Sequence, residues 1–169
     1  MWMDHGGHAR GDRRARALAR ALAAAALVLS GACLAAGGAA ASSAEEAHCL
    51  ALTIYWEARE EGRDGMVAVG WVVLNRSRNA RFPPTICAVV RQGGESAPCQ
   101  FSFWCDGKRD APEESGSWLL AQAVAGELLS DPPPDPTGGA LLFHRDDVRP
   151  AWAPRHQRTA QVGRHIYYR

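Results

Sequence analysis

The chain has 169 residues, 47% hydrophobic and 22% charged, an ordinary composition for one globular domain with or without an appendage. Its formal net charge of +1 hides an asymmetry: Arg10, Arg13, Arg14, Arg16 and Arg20 all lie at the front. Beyond residue 44 the chain is close to neutral, so the basic surface needed for an electrostatic grip on nucleic acid is not indicated.

The front reads as an export signal. "RRARALAR" is a positive region, and Ala21 to Ala41 is an uncharged apolar run followed by small residues. Cleavage is expected near Ala41 or Ala44, which divides the chain into a signal peptide at 1–44 and an exported domain at 45–169. An uncleaved anchor is the rival, but a run rich in Ala and Gly is a poor membrane span. "SGAC" at Ser30 to Cys33 faintly resembles a lipoprotein site without its usual Leu. Setting Cys33 aside leaves Cys49, Cys87, Cys99 and Cys105. In an oxidising compartment four cysteines imply two disulfides, with three connectivities open. Buried free thiols are the alternative, and the spacings lack the paired C-x-x-C of a structural zinc site.

In chain order, Glu45 to about Arg59 is predicted as a helix, with Leu50, Ala51, Ile54, Tyr55 and Ala58 on its apolar face and Gly62 as its stop. Asp64 is expected to cap a second helix through "GMVAVGWVVLNRSRN". That helix is apolar nearly all round, which places it at the buried centre. "RFPPTICAVVRQ" reads as a loop and a short apolar segment, and "CQFSFWCDGK" as an aromatic stretch tied down by cysteines. "SWLLAQAVAGELLS" is a third helix, capped by Ser115 or Ser117 and broken by "DPPPDPTGG". "ALLFH" and "RHIYYR" have strand character and are expected to pair. The fold class is α+β, mostly helical with a small β-sheet.

The first helix carries the candidate chemistry. At about 100° per residue, Glu57 falls about 20° outside the Leu50 edge of the apolar arc. A carboxylate on the shoulder of a core-facing stripe is partly desolvated, and desolvation favours its neutral form. Glu60 and Glu61, three and four residues on, are expected to push the same way by like-charge repulsion. A glutamate held protonated near neutral pH is what acid catalysis of glycosidic cleavage requires. The plainer alternative is a solvated helix end.

Five segments in order decide between these. "IYWEAREEGRDGMVAVGWVVLNR", "FPPTICAVV", "CQFSFWCDG", "GALLFH" and "VGRHIYYR" resemble the cell wall hydrolase family typified by the germination-specific spore cortex-lytic enzyme, over about Cys49 to Arg169. The resemblance implies a lysozyme-like fold, peptidoglycan glycan strands as the partner, no cofactor and no metal. It implies a lytic transglycosylase acting through the first motif glutamate, which matches Glu57. In the family's chemistry that residue protonates the oxygen between N-acetylmuramic acid and N-acetylglucosamine. As a carboxylate it then takes the proton of the muramic C6 hydroxyl, which closes a 1,6-anhydro ring. Glu61 matches the second motif glutamate, and Tyr55, Asn75, Phe101, Ser102, Trp104, His144 and His165 match supporting or substrate-binding positions. The chain departs from the motif at Glu60, where the family has Gly, so the first helix is expected to extend to Gly62 and bring Glu61 beside Glu57.

Several rivals remain open at this level. A muramidase would let water attack, with Glu61 or Asp106 as second carboxylate. A non-catalytic glycan-binding domain would keep the fold and lose activity through Glu60. His144, His165 and Asp146 suggest a metal-dependent amidase only against the usual ligand spacings, and Cys105 with His165 a protease only against the disulfide expectation. Trp56, Trp71, Trp104, Trp118 and Trp152 suit stacking on sugar rings or simply the core. An exported, cell-wall-associated protein, periplasmic or extracellular, is the expected setting.

Overall fold

The computed structural model of the protein describes residues 41–95 and 98–169. The expected export segment lies outside the described residues up to residue 40. Helix α1 is Ser43–Ala58, and its start follows from Ser42, whose backbone is extended and whose side-chain hydroxyl accepts the Glu45 N–H at 3.2 Å. Glu45 and Glu46 in its first turn complement the helix dipole. Its apolar face, including Leu50, Ile54 and Tyr55, is fully buried.

The expected extension of this helix to Gly62 does not occur. The Glu61 N–H closes on the Ala58 carbonyl at 3.0 Å, and the chain turns through Arg59 and Glu60. Gly62 adopts φ +67° and opens helix α2, Gly62–Ser77. Asp64 lies in the first turn of α2 rather than at its cap, which is Glu61 without a side-chain capping bond. As its sequence implied, α2 is buried on nearly every side, from Gly65 to Leu74. Gly70 is required there, because an added Cβ would sit 2.3 Å from Leu128 and 3.0 Å from Ile54. Close approach of the neighbouring helices depends on the missing side chain.

Helix α3 is Ile86–Val90, capped by the Thr85 hydroxyl, which accepts the Ala88 N–H. Glu46 of α1 also accepts the Ile86 and Cys87 N–H groups, at 2.6 and 3.3 Å. The short helix α4 is Ser102–Cys105, and α5 is Ser115–Ser130. The N-cap of α5 is Glu114 rather than Ser115 or Ser117, and the Ser117 hydroxyl donates to the Glu114 carboxylate at 3.1 Å. Helices α1, α2 and α5 pack mutually, and α3 packs on α1 and α2.

Strand β1 is Leu142–Arg145, β2 is Arg158–Val162 and β3 is His165–Tyr168. They form an antiparallel sheet in the order β1-β3-β2. The expected pairing of the "ALLFH" and "RHIYYR" segments is present, with Phe143 opposite Tyr167 and Arg145 opposite His165. Strand β2 had no clear alternating signal, since its Arg-Thr-Ala-Gln-Val is mostly polar and it edges the sheet. The end of α2 anchors the entry to β1. The Asn75 amide donates to Asp135 at 2.9 Å and to the Ala140 carbonyl at 3.2 Å, and Arg76 Nε donates to the Leu141 carbonyl at 2.7 Å.

Both disulfides form. Cys49–Cys87 ties α1 to α3 across 38 residues of sequence, and Cys99–Cys105 closes the aromatic loop around α4. The longer loop restricts the unfolded chain more. Replacing Cys49 and Cys87 together by Ala is expected to cost about 2–4 kcal/mol, measured as a fall in the urea midpoint.

Candidate active site

Glu57 sits in the last turn of α1, where the helix meets a cleft of about 420 Å³. The cleft is lined from α1 by Trp56 and Glu57, from the α4 loop by Ser102, Phe103 and Asp106, and from the sheet by Phe143, Arg145 and His165. His144 and Val148 complete one end. Each element arrives for a local reason. Tyr55, one residue before Trp56, is fully buried, and its hydroxyl accepts the Glu113 and Glu114 N–H groups at 3.0 Å each. This locks the end of α1 to the segment leading into α5. Trp56 Nε1 donates to the Asp110 carbonyl at 3.4 Å, and its ring lies nearly parallel to Phe103 with centroids 6.5 Å apart. The Cys99–Cys105 bridge holds that aromatic loop against the core, where Phe101 and Phe103 are buried.

Burial pushes the Glu57 carboxyl up to about 7, against the opposing charge of Arg76. Like-charge repulsion from Glu60 and Glu61, expected from the sequence, is not what raises it. Arg76 is a buried guanidinium, 5.1 Å from the Phe101 ring centre and 5.5 Å from that of Phe82. The same burial holds Arg76 down at about 10, with Glu57 opposing. Its Nη1 has no hydrogen-bond partner among the described residues. Arg59 is turned away over the Tyr55 and Trp56 rings, at 5.4 and 5.1 Å, so it does not neutralise the site.

Glu61 is not beside Glu57 on one helix face. Its Oε2 accepts the Arg164 N–H at 2.8 Å, clasping the turn between β2 and β3. From there its charge acts on His165 and Tyr167. Gly163 in this turn has φ +55°, and an added Cβ would lie 2.3 Å from Glu61 Oε2. Gly163→Ala is therefore expected to destabilise the fold by about 2 kcal/mol or more, read by thermal melting. Glu61 also lines a small recess of about 110 Å³ next to the cleft, with Trp56, Glu57, Arg59, Glu60 and Arg145.

His165 is buried, with its Nδ1 unpartnered among the described residues, and burial pushes its pKa below the usual histidine range. A neutral imidazole retains one donor and one acceptor. Tyr167 is fully buried, its hydroxyl also unpartnered, and burial together with the Glu61 charge raises its pKa. His144 is fixed at the cleft's edge: Nδ1 lies 2.7 Å from the Arg145 carbonyl and Nε2 3.0 Å from the Tyr168 hydroxyl. Since the carbonyl only accepts, Nδ1 donates to it, and in the neutral ring Nε2 accepts from Tyr168.

Of the residues singled out by sequence, the structure gathers Glu57, Ser102, His144 and His165 around one cleft. Four others lie elsewhere. Tyr55 is buried behind the cleft, and Asn75 braces the loop before β1. Phe101 packs under Arg76, and Trp104 faces the Arg91 guanidinium at 5.1 Å. Each of the four is held by contacts within the fold. Phe143, Arg145 and Val148 were not anticipated. Phe143 and Arg145 flank His144 in a strand, but only the register with β3 decides which of them face the cleft. The zinc set suggested for an amidase does not assemble, because both His144 nitrogens are engaged and Asp146 pairs with Arg164 at 3.2 Å. Cys105 is bridged to Cys99, which takes its thiol out of the Cys105–His165 pair suggested for a protease.

Known proteins resemble this chain in sequence and fold. A model of the cell wall hydrolase family matches residues 60–168, beginning three residues after Glu57. The spore cortex-lytic enzyme of Oceanobacillus iheyensis is 32% identical over 128 residues, which cover 74% of this chain and 42% of that protein. That of Bacillus subtilis is 29% identical over 120 residues, 70% of this chain and 35% of that protein. The chain thus spans less than half the length of these curated relatives. The solved catalytic domain of the germination-specific lytic transglycosylase SleB from Bacillus anthracis is 26% identical, with a TM-score of 0.62 over 78% of this chain and 98% of that domain. The fold is therefore the α+β, lysozyme-like one of these catalytic domains, and the chain belongs to the cell wall hydrolase family.

Proposed function

We propose that the chain is an exported peptidoglycan-cleaving enzyme, a lytic transglycosylase in which Glu57 is acid and then base. The observation that carries this reading is a carboxyl held near pH 7 at the floor of an aromatic-walled cleft. The protonated form donates to the bridging oxygen between N-acetylmuramic acid and N-acetylglucosamine. The resulting carboxylate accepts the proton of the muramic C6 hydroxyl, whose oxygen bonds to the anomeric carbon as the old glycosidic bond breaks. A group poised near neutrality serves both halves. Trp56 and Phe143 offer flat apolar faces to the pyranose rings. Neutral His165 and Arg145 supply donors to sugar hydroxyl and acyl oxygens. A solved catalytic domain described as a germination-specific lytic transglycosylase supports the assignment.

A second reading has one observation in its favour: Asp106 lines the same cleft. As a general base for water it would make the protein a muramidase. Glu61, held by the β2–β3 turn, is the weaker candidate for that role. Digestion of purified sacculi separates the readings by mass. Ends carrying 1,6-anhydromuramic acid support the transglycosylase, and reducing ends heavier by one water support the muramidase. Binding without any product would favour a glycan-binding domain.

The two disulfides fit an oxidising, extracytoplasmic setting, and among the described residues no helix is long and apolar enough to cross a membrane. The Ser42 cap favours signal cleavage after Ala41 over Ala44, because the later cut removes the residue that starts α1.

A further inference from the structure

A second depression, of about 580 Å³, lies on the face of the sheet opposite the core, against Ile166 and Tyr168. It shares His144 and Val148 with the catalytic cleft, so it continues that cleft around the free edge of β1. Its character is different. Pro150, Pro154 and Ile166 give it apolar walls, while Arg149 and Arg158 give it positive charge. Arg149 has no ion-pair partner among the described residues, and Arg158 bonds only to the neutral Gln161. The one acid in the lining, Asp146, is already paired with Arg164. Val148, at the junction, is a large apolar residue left 49% exposed.

A neutral sugar has no use for two unpaired guanidinium groups. The muramic sugar, however, bears a short peptide on its lactyl ether, and that peptide carries several free carboxylates along an otherwise small, partly apolar backbone. It leaves the same sugar whose anomeric bond lies at Glu57. Charge complementarity and continuity with the cleft thus single out one occupant. We propose that this groove receives the acidic peptide attached to the muramic sugar, with its free carboxylates on Arg149 and Arg158 and its apolar side against Pro150, Pro154 and Val148. The proposal deepens the reading of the cleft as a glycan-cleaving site and rests on it. The groove makes the enzyme selective for strands that still carry peptides.

The test uses uncross-linked glycan strands bearing tetrapeptides and the same strands stripped by an amidase, with the full exported chain and its Arg149→Glu/Arg158→Gln variant. Both positions are exposed, so the fold should tolerate the changes. The wild type is expected to show a KM about threefold to tenfold lower on peptide-bearing strands, the size of one or two exposed charge pairs. The variant is expected to lose that preference while matching the wild type on stripped strands, with kcat unaltered. Equal KM for both strands in the wild type, or a variant that weakens both equally, would overturn the proposal. Co-sedimentation of Glu57→Gln protein with the two strand types is read alongside. If the wild type cleaves neither strand, the catalytic reading falls. Sedimentation then still decides the groove: preferential retention of peptide-bearing strands, lost with the arginine changes, supports it, and equal retention overturns it.

Discussion

Glu57→Gln is expected to lower the rate of glycan cleavage by about 10²–10⁴-fold while leaving the protein folded and able to bind sacculi. The amide keeps the shape of the side chain and the contacts of the cleft, but it neither donates an acidic proton nor takes one back. Tyr55, Trp56 and the Cys99–Cys105 loop hold the surroundings in place independently of residue 57. The loss should therefore fall on kcat rather than on KM. The control is Asp106→Asn. In a transglycosylase it should cost little, because no water is activated. In a muramidase the two substitutions should be comparably severe. The measurement is the rate of release of anhydromuramic and reducing ends by mass spectrometry. A Glu57→Gln protein as active as the wild type would remove this residue from the mechanism.

The same substitution should stabilise the protein in a defined pH window. Glu57 titrates near its ordinary 4.5 in the unfolded chain and at about 7 when folded. Between those values the folded protein retains a proton that the unfolded chain has released. The stability contributed by Glu57 is therefore fully present below about 4.5 and is lost as the pH rises through about 7. Glutamine has no proton to lose. Relative to the wild type, Glu57→Gln should gain stability across that window and nothing below it. The full shift corresponds to about 3 kcal/mol at most, reduced by the water that reaches the cleft. Thermal melts at pH 4 and pH 8 test this: the difference in Tm between variant and wild type should grow in favour of the variant from the lower pH to the higher. A constant difference would mean that the carboxyl is not desolvated in the folded protein. In the proposed mechanism this cost has a counterpart, since the burial that destabilises the carboxylate also keeps the acid protonated.

Local chemistry was legible because it is written in neighbours. The apolar face of α1, the all-round apolar α2, the polar break after α5 and the β-formers of β1 and β3 each lie within a few residues of sequence, and each element formed where its pattern stood. Glu57 could be placed at the edge of the buried face by helical periodicity alone. The order of five motif segments then tied that glutamate to a family. The even set of cysteines beyond residue 44 announced two bridges, though not their pairing.

What lies between elements was not legible. Glu61 was expected to press on Glu57, because a helix wheel assumes that the helix continues. The left-handed Gly62 starts a new helix instead and sends Glu61 to the β2–β3 turn, 103 residues away in sequence. The raised pKa of Glu57 was anticipated, but its cause is desolvation by packing, opposed by a buried Arg76 that arrives from the end of another helix. Arg145 and Phe143 reach the cleft only through the register of β1 on β3, and the arginine-lined groove exists only because the segment after β1 returns across the sheet. The sequence by itself determined the helices, the place of Glu57 at the edge of the buried face and the family, since periodicity and motif spacing are local properties. The tertiary structure alone decided which charges see one another, because burial and Coulomb interaction depend on distance in space, which no pattern along the chain records.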